Sequence, residues 1–129
     1  MENNDPLSVL VSSDAKSVDR QKLAELLAPY LVIDSNSKEF GFTSKFDELP
    51  GNESKIEVFL AGVKARALLF DVNDGIFPKE IVAIGIMAEG SVKSSLKGLF
   101  DNRKIKKDRD GMYSLPSHRI SELAKRIIK

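Results

Sequence analysis

Ile56, Phe59, Leu60, Val63, Ala67 and Leu68 recur at three- and four-residue steps, the spacing that puts side chains on one face of an α-helix. Asn52 is placed to cap this helix, directly after the Pro50-Gly51 break inside Asp47 to Ser54. Asp71 to Gly75 ends it. Pro78 suits a first helical turn, and Ile81, Val82 and Ile84 make a short buried helix that stops at Gly85. Ile86 to Gly90 reads as a turn, and Ser91 opens a third helix with Val92, Leu96, Leu99 and Phe100 inward. Arg103 to Lys107 reads as a strand around Ile105. Asp108-Arg109-Asp110-Gly111 is a tight turn, and Met112 to Leu115 is the return strand. After Pro116, Ser117 caps a last helix carrying Ile120, Leu123, Ala124, Ile127 and Ile128 on one side.

Upstream, the alternation of Leu7, Val9 and Val11 predicts a short edge strand or ordered arm. Ser17 or Asp19 can cap a helix bearing Leu23, Leu26, Leu27 and Tyr30, with Pro29 at its end. Tyr30 to Ile33, a polar turn over Asp34 to Glu39, and Phe40 to Thr43 form a hairpin pattern. The expected class is therefore α+β. Residues 1–50 form an arm, helix and β-hairpin extension, and residues 51–129 form the second unit.

At 129 residues the chain suffices for one compact domain, or a small domain with an appendage. Its 42% hydrophobic content is too high for a disordered chain. With no cysteine, disulfides, thiolate zinc sites and cysteine nucleophiles are all removed. Apolar runs such as Phe59 to Val63 and Ile81 to Ala88 fall far short of a membrane span. The acidic, polar opening does not resemble a secretory signal, so a cytoplasmic location is expected.

The stretch FPKEIVAIGIMAEGSVKSSLKGLFDNRKIKKDRDGMYSLP, from Phe77 to Pro116, resembles the winged helix-turn-helix core of many prokaryotic regulators. Ser91-Val92, Leu96, Leu99, Ile105, Gly111, Tyr113 and Leu115 carry the likeness, which extends over about Asn52 to Pro116. The resemblance implies a non-enzymatic protein that binds double-stranded DNA through its third helix and wing. It implies transcriptional regulation or an accessory DNA-binding role, and a dimer formed through the N-terminal extension or the C-terminal helix.

Charge distribution is compatible with that implication. Residues 1–70 hold eight Lys/Arg against eleven Asp/Glu, a net of −3, whereas residues 71–129 hold twelve against eight, a net of +4. Between Ser91 and Asp110 lie seven basic and three acidic residues, the local excess that a phosphate-binding face requires. The plainer alternative is a solvated helix and hairpin. On the third helix Ser91, Ser94, Lys97, Gly98 and Asp101 occupy the arc opposite the apolar stripe, with Lys93 and Ser95 beside it. Ser91 places backbone N–H groups at the helix start, a natural phosphate site. Arg103, Lys104, Lys106, Lys107 and Arg109 on the wing would reach the flanking backbone or minor groove.

Against this, Glu89 and Asp101 repel phosphate, and the exposed arc has no Arg, Asn or Gln before Asn102 to read a base bidentately. Gly98 in mid-helix costs ~1 kcal/mol relative to Ala, which points to close approach by DNA, a neighbouring helix or another subunit. These features keep open a second reading, an adaptor of the same fold whose wing faces a protein partner. Catalysis has little support. His118 is the sole histidine and is read as a surface residue, no acidic spacing resembles a calcium loop, and the glycines form no phosphate-binding fingerprint. No cofactor or metal is expected.

Overall fold

A computed structural model describes residues 6–7 and 19–127. The predicted strand or arm at Leu7, Val9 and Val11 lies outside them except for Leu7, as do Ser17 and Ile128. Among the described residues there are six helices and two two-stranded antiparallel sheets, a mixed α and β architecture.

Asp19 opens the first helix, α1 (Arg20–Leu27), by accepting a hydrogen bond from the Lys22 amide at 3.0 Å. Leu23, Leu26 and Leu27 form its buried face. The expected hairpin follows as β1 (Leu31–Ile33) and β2 (Phe40–Phe42), in the register Leu31↔Phe42 and Ile33↔Phe40. At its tip the Asp34 carboxylate accepts from the amides of Asn36 at 2.8 Å and Ser37 at 2.9 Å, the side-chain turn that Asp favours. Its base is closed by the Thr43 hydroxyl, which donates to the Pro29 carbonyl at 2.6 Å. A one-turn helix, α2 (Ser44–Asp47), is an element the sequence pattern does not reveal; it buries Phe46.

The long helix α3 (Gly51–Phe70) starts one residue before the predicted cap, with Pro50 in the N-cap position, and ends at Asp71 in a left-handed conformation. The apolar stripe understates its burial. Every residue from Ile56 to Lys64 is buried, Glu57 and Lys64 included, so α3 is a central rod and not a one-faced surface helix. The β1–β2 hairpin lies against it at Gly62, where an added Cβ would come within 2.8 Å of a Leu31 methyl group. Phe40 and Phe42 pack on Phe59 with ring centroids 5.2 and 6.1 Å away, and Phe42 meets Phe46 at 4.6 Å. These aromatics cover the long helix and are not a free surface.

Ile76 then pairs with Tyr113 as an isolated antiparallel bridge. Pro78 begins α4 (Pro78–Ile84), which Gly85 terminates at φ +86°, as its position predicts. The next helix, α5 (Glu89–Asp101), starts two residues earlier than Ser91. The second hairpin is shorter than the sequence pattern predicts. Arg103 takes φ +60° after the helix, so the strands reduce to β3 (Lys106–Lys107) and β4 (Tyr113–Ser114), with Gly111 at φ +91° in the turn. The chain ends in α6 (His118–Ile127), which packs on α1 while α1 packs on α3.

Buried apolar residues from Leu23 through Leu123 form one continuous cluster around α3. Two charged groups interrupt it. Glu57, 1% exposed, receives the Arg126 guanidinium of α6 at 2.6 Å, and Lys64 reaches Asp74 at 3.2 Å. The first pair ties α3 to the last helix, far away in sequence, and the second ties it to the loop that directly follows it.

Candidate nucleic-acid interface

The basic residues gather where α5 meets the β3–β4 hairpin. Packing of α5 against α3 buries Val92, Ser95, Leu96 and Leu99. The solvent-facing arc is then Gly90, Ser94, Lys97 and Asp101, all exposed or fully open on the helix surface. Ser94 and Lys97 therefore stand where the sequence predicts. Ser95 does not: at 5% exposure it belongs to the packed face and cannot meet a ligand. Ser91 is half-buried and lies inside the first turn instead of opening it.

Gly98 resolves the question its position raises. An added Cβ would lie 2.4 Å from a Glu53 carboxylate oxygen of α3, so the close neighbour is that side chain. Phe100 departs from its predicted inward position. It is 45% exposed and meets Tyr113 edge to face, centroids 6.3 Å apart and planes at 86°.

Electrostatics on α5 are self-compensating. Glu89 reaches Lys93 at 3.1 Å, and Asp101 reaches Lys97 at 2.7 Å, each one helical turn apart. The hydrogen bond to Asp101, and then its charge, hold the Lys97 ammonium above the ordinary lysine range. Ala88 caps the helix without a side-chain hydrogen bond, and Glu89 occupies the first turn. That carboxylate stabilises the positive end of the helix while repelling any phosphate that approaches it.

The hairpin differs. Lys106, Lys107 and Arg109 are exposed, Arg103 is exposed just before it, and Lys104 is half-buried. Lys107 lies over the Tyr113 ring at 5.5 Å from its centroid. The two acids of the turn are exposed as well, but Asp108 is engaged in the local fold. Its carboxylate accepts from the amides of Asp110 at 2.9 Å and Met112 at 3.0 Å, which fixes the turn that presents Arg109. Five cations against two carboxylates leave the hairpin the more positive part of the interface.

Beside α5 a groove of about 400 Å³ is lined by Phe77, Pro78, Lys79, Val82, Glu89 and Lys93. Among the described residues no three His, Asp or Glu side chains converge as metal ligands would, and no helix is long and apolar enough to cross a membrane. His118 is exposed. Comparison with family models, curated proteins and solved structures finds no match to the chain.

Proposed function

We propose that this chain is a winged helix-turn-helix protein that binds double-stranded DNA mainly through phosphate contacts made by its wing, as a non-enzymatic regulator or accessory factor. The order α3, the Ile76 bridge, α4, α5 and the β3–β4 hairpin supports the fold assignment. In this reading β3–β4 is the wing and α5 the helix that faces the major groove.

The observation that carries the proposal is the free cationic hairpin. Lys106 and Lys107 stand exposed on β3 and Arg109 on the turn that the Asp108 carboxylate closes, whereas the lysines of α5 are already met by Glu89 and Asp101. Exposed ion pairs are weak and exchange partners readily, so Lys93 and Lys97 can turn to phosphate. The acids remain, however, and cap what the helix adds. Ser94 and Gly90 allow close approach of α5, but that face offers little for bidentate base reading. Binding is thus dominated by the backbone and weakly selective among sequences. A homodimer would add half-site spacing and affinity.

The test compares two variants on one fluorescent duplex at low salt. Lys106→Gln/Lys107→Gln/Arg109→Gln is expected to weaken binding more than tenfold, and Lys93→Gln/Lys97→Gln about threefold or less. Equal losses, or a larger loss from the helix variant, would contradict the wing-led account.

A second reading, an adaptor of the same fold, is favoured by the self-neutralised face of α5 next to the apolar groove at Phe77, Pro78 and Val82. It predicts that neither variant changes duplex binding, because none occurs.

A further inference from the structure

Phe100 is the one aromatic side chain among the large apolar residues that the described part of the structure leaves exposed, at 45%. It stands at the last turn of α5, where the chain passes into the basic hairpin. Tyr113 supports it edge to face at 6.3 Å. Lys107 is the cross-strand partner of Tyr113, shares its face of the hairpin, and places its ammonium 5.5 Å from the Tyr113 centroid. Arg103 follows within three residues, its amide donating to the Phe100 carbonyl at 3.0 Å. The nearest acid along the chain, Asp101, is occupied by Lys97. Two touching rings, Lys107 over the second of them and the exposed Arg103 just after α5 thus mark a strip from the end of α5 onto the hairpin.

We propose that this strip is a binding site for single-stranded DNA, in which an unpaired base stacks on Phe100 while Arg103 and Lys107 neutralise the adjoining phosphates. The chemistry of the strip selects this ligand. A duplex offers phosphates but keeps its base faces stacked inside, so an aromatic ring reaches one only by unstacking a step, at a cost in free energy. An apolar protein surface would match Phe100 but would strand the surrounding cations against a non-polar partner. A single strand supplies both complements, a π-face for the ring and a phosphate for each cation. The site extends beyond the duplex reading and does not depend on it, because the stacking contact is absent from duplex recognition.

Binding of an oligothymidine of about twelve nucleotides, a length that spans common single-strand site sizes, is compared with that of an abasic strand of the same length. Fluorescence anisotropy is measured for the native chain, Phe100→Ala and Phe100→Trp, with a duplex measured alongside. The native chain is expected to prefer the strand with bases by about 5- to 150-fold, the range for one stacked base. Phe100→Ala is expected to erase that preference, and Phe100→Trp to keep it. Equal binding of the two strands by the native chain, binding of neither, or a preference that survives in Phe100→Ala would overturn the proposal. So would an equal loss of duplex binding in Phe100→Ala, since that marks a general structural role. Duplex binding without a base preference sinks this site alone. A base preference without duplex binding sinks the duplex reading and leaves this site standing.

Discussion

Lys97 and Asp101 close on each other at 2.7 Å, one turn apart on the exposed arc of α5. Whatever α5 faces must accept a lysine that already has an anion beside it. If that ligand is DNA, Asp101 acts as a brake, repelling the phosphates that Lys97 would otherwise hold. Asp101→Asn is accordingly expected to raise duplex affinity about two- to fivefold at low salt, and the gain should fade as salt screens the charges. An unchanged or lowered affinity in a titration would separate α5 from the DNA face.

Gly98→Ala is expected to stabilise the protein by about 0.5 kcal/mol. Replacing a mid-helix glycine recovers up to ~1 kcal/mol of helix propensity. Part of this is offset because the new methyl group displaces the Glu53 carboxylate, now 2.4 Å from the position it would take. Glu53 is only half-buried and its carboxylate is the free end of a flexible chain, so it can turn aside. Urea unfolding checks this, and a loss above ~1 kcal/mol would mean that Glu53 is fixed in place.

The pair between Glu57 and Arg126 should respond asymmetrically. Glu57 is 1% exposed and one of its carboxylate oxygens has no hydrogen-bond partner among the described residues, whereas the Arg126 side chain is 42% exposed. Arg126→Ala removes the cation and leaves the anion buried, at a cost of about 2–4 kcal/mol, below the fully buried case because Arg126 borders water. Glu57→Met leaves a cation that water can still reach and fills the site with apolar volume, so it should cost less than about 1 kcal/mol. Equal costs in denaturant unfolding would contradict the asymmetry.

Asp34 gives a pH signature. Amide hydrogen bonds from Ser37 and Asn36 hold its carboxyl below the ordinary value of 3.8. A depressed folded-state value means that the contribution of Asp34 is present above about pH 3.8 and is lost as pH falls through the folded value. Asp34→Ala should therefore be less stable than the native chain at pH 7, with the gap narrowing below pH 3.8. A gap of constant size across that range would show that the turn does not depend on the charge.

Element order was readable because it depends on local rules. Pro78 at a first turn, Gly85 and Gly111 at positive φ, and the Asp34 turn each follow from the residue's own conformational preference. How many neighbours surround a helix is a different matter. The apolar stripe of α3 indicates one buried face but not that the hairpin, α1 and α5 enclose the rest, so the burial of Glu57 and Lys64 was not legible. The same gap displaced Ser95 of the candidate site and Phe100 of the expected core. A size-based reading turns Phe100 inward and leaves Ser95 beside the open arc. Close packing of α5 on α3 instead centres the buried face nearer Ser95, and the larger ring is left at the edge. Pairing of Lys93 and Lys97 with acids one turn away was available from spacing alone, since such residues are neighbours on a helix.

A DNA-holding wing must show itself in the salt dependence of duplex binding. Affinity for a random-sequence duplex is measured from low to physiological salt for the native chain and for Lys106→Glu/Lys107→Glu/Arg109→Glu. With about 3–5 phosphates neutralised, log K should fall with log salt at roughly 0.9 per phosphate, and the variant should bind more weakly with a slope lower by about 3. No binding by the native chain at low salt, or the same slope for both proteins, would contradict a wing that holds DNA.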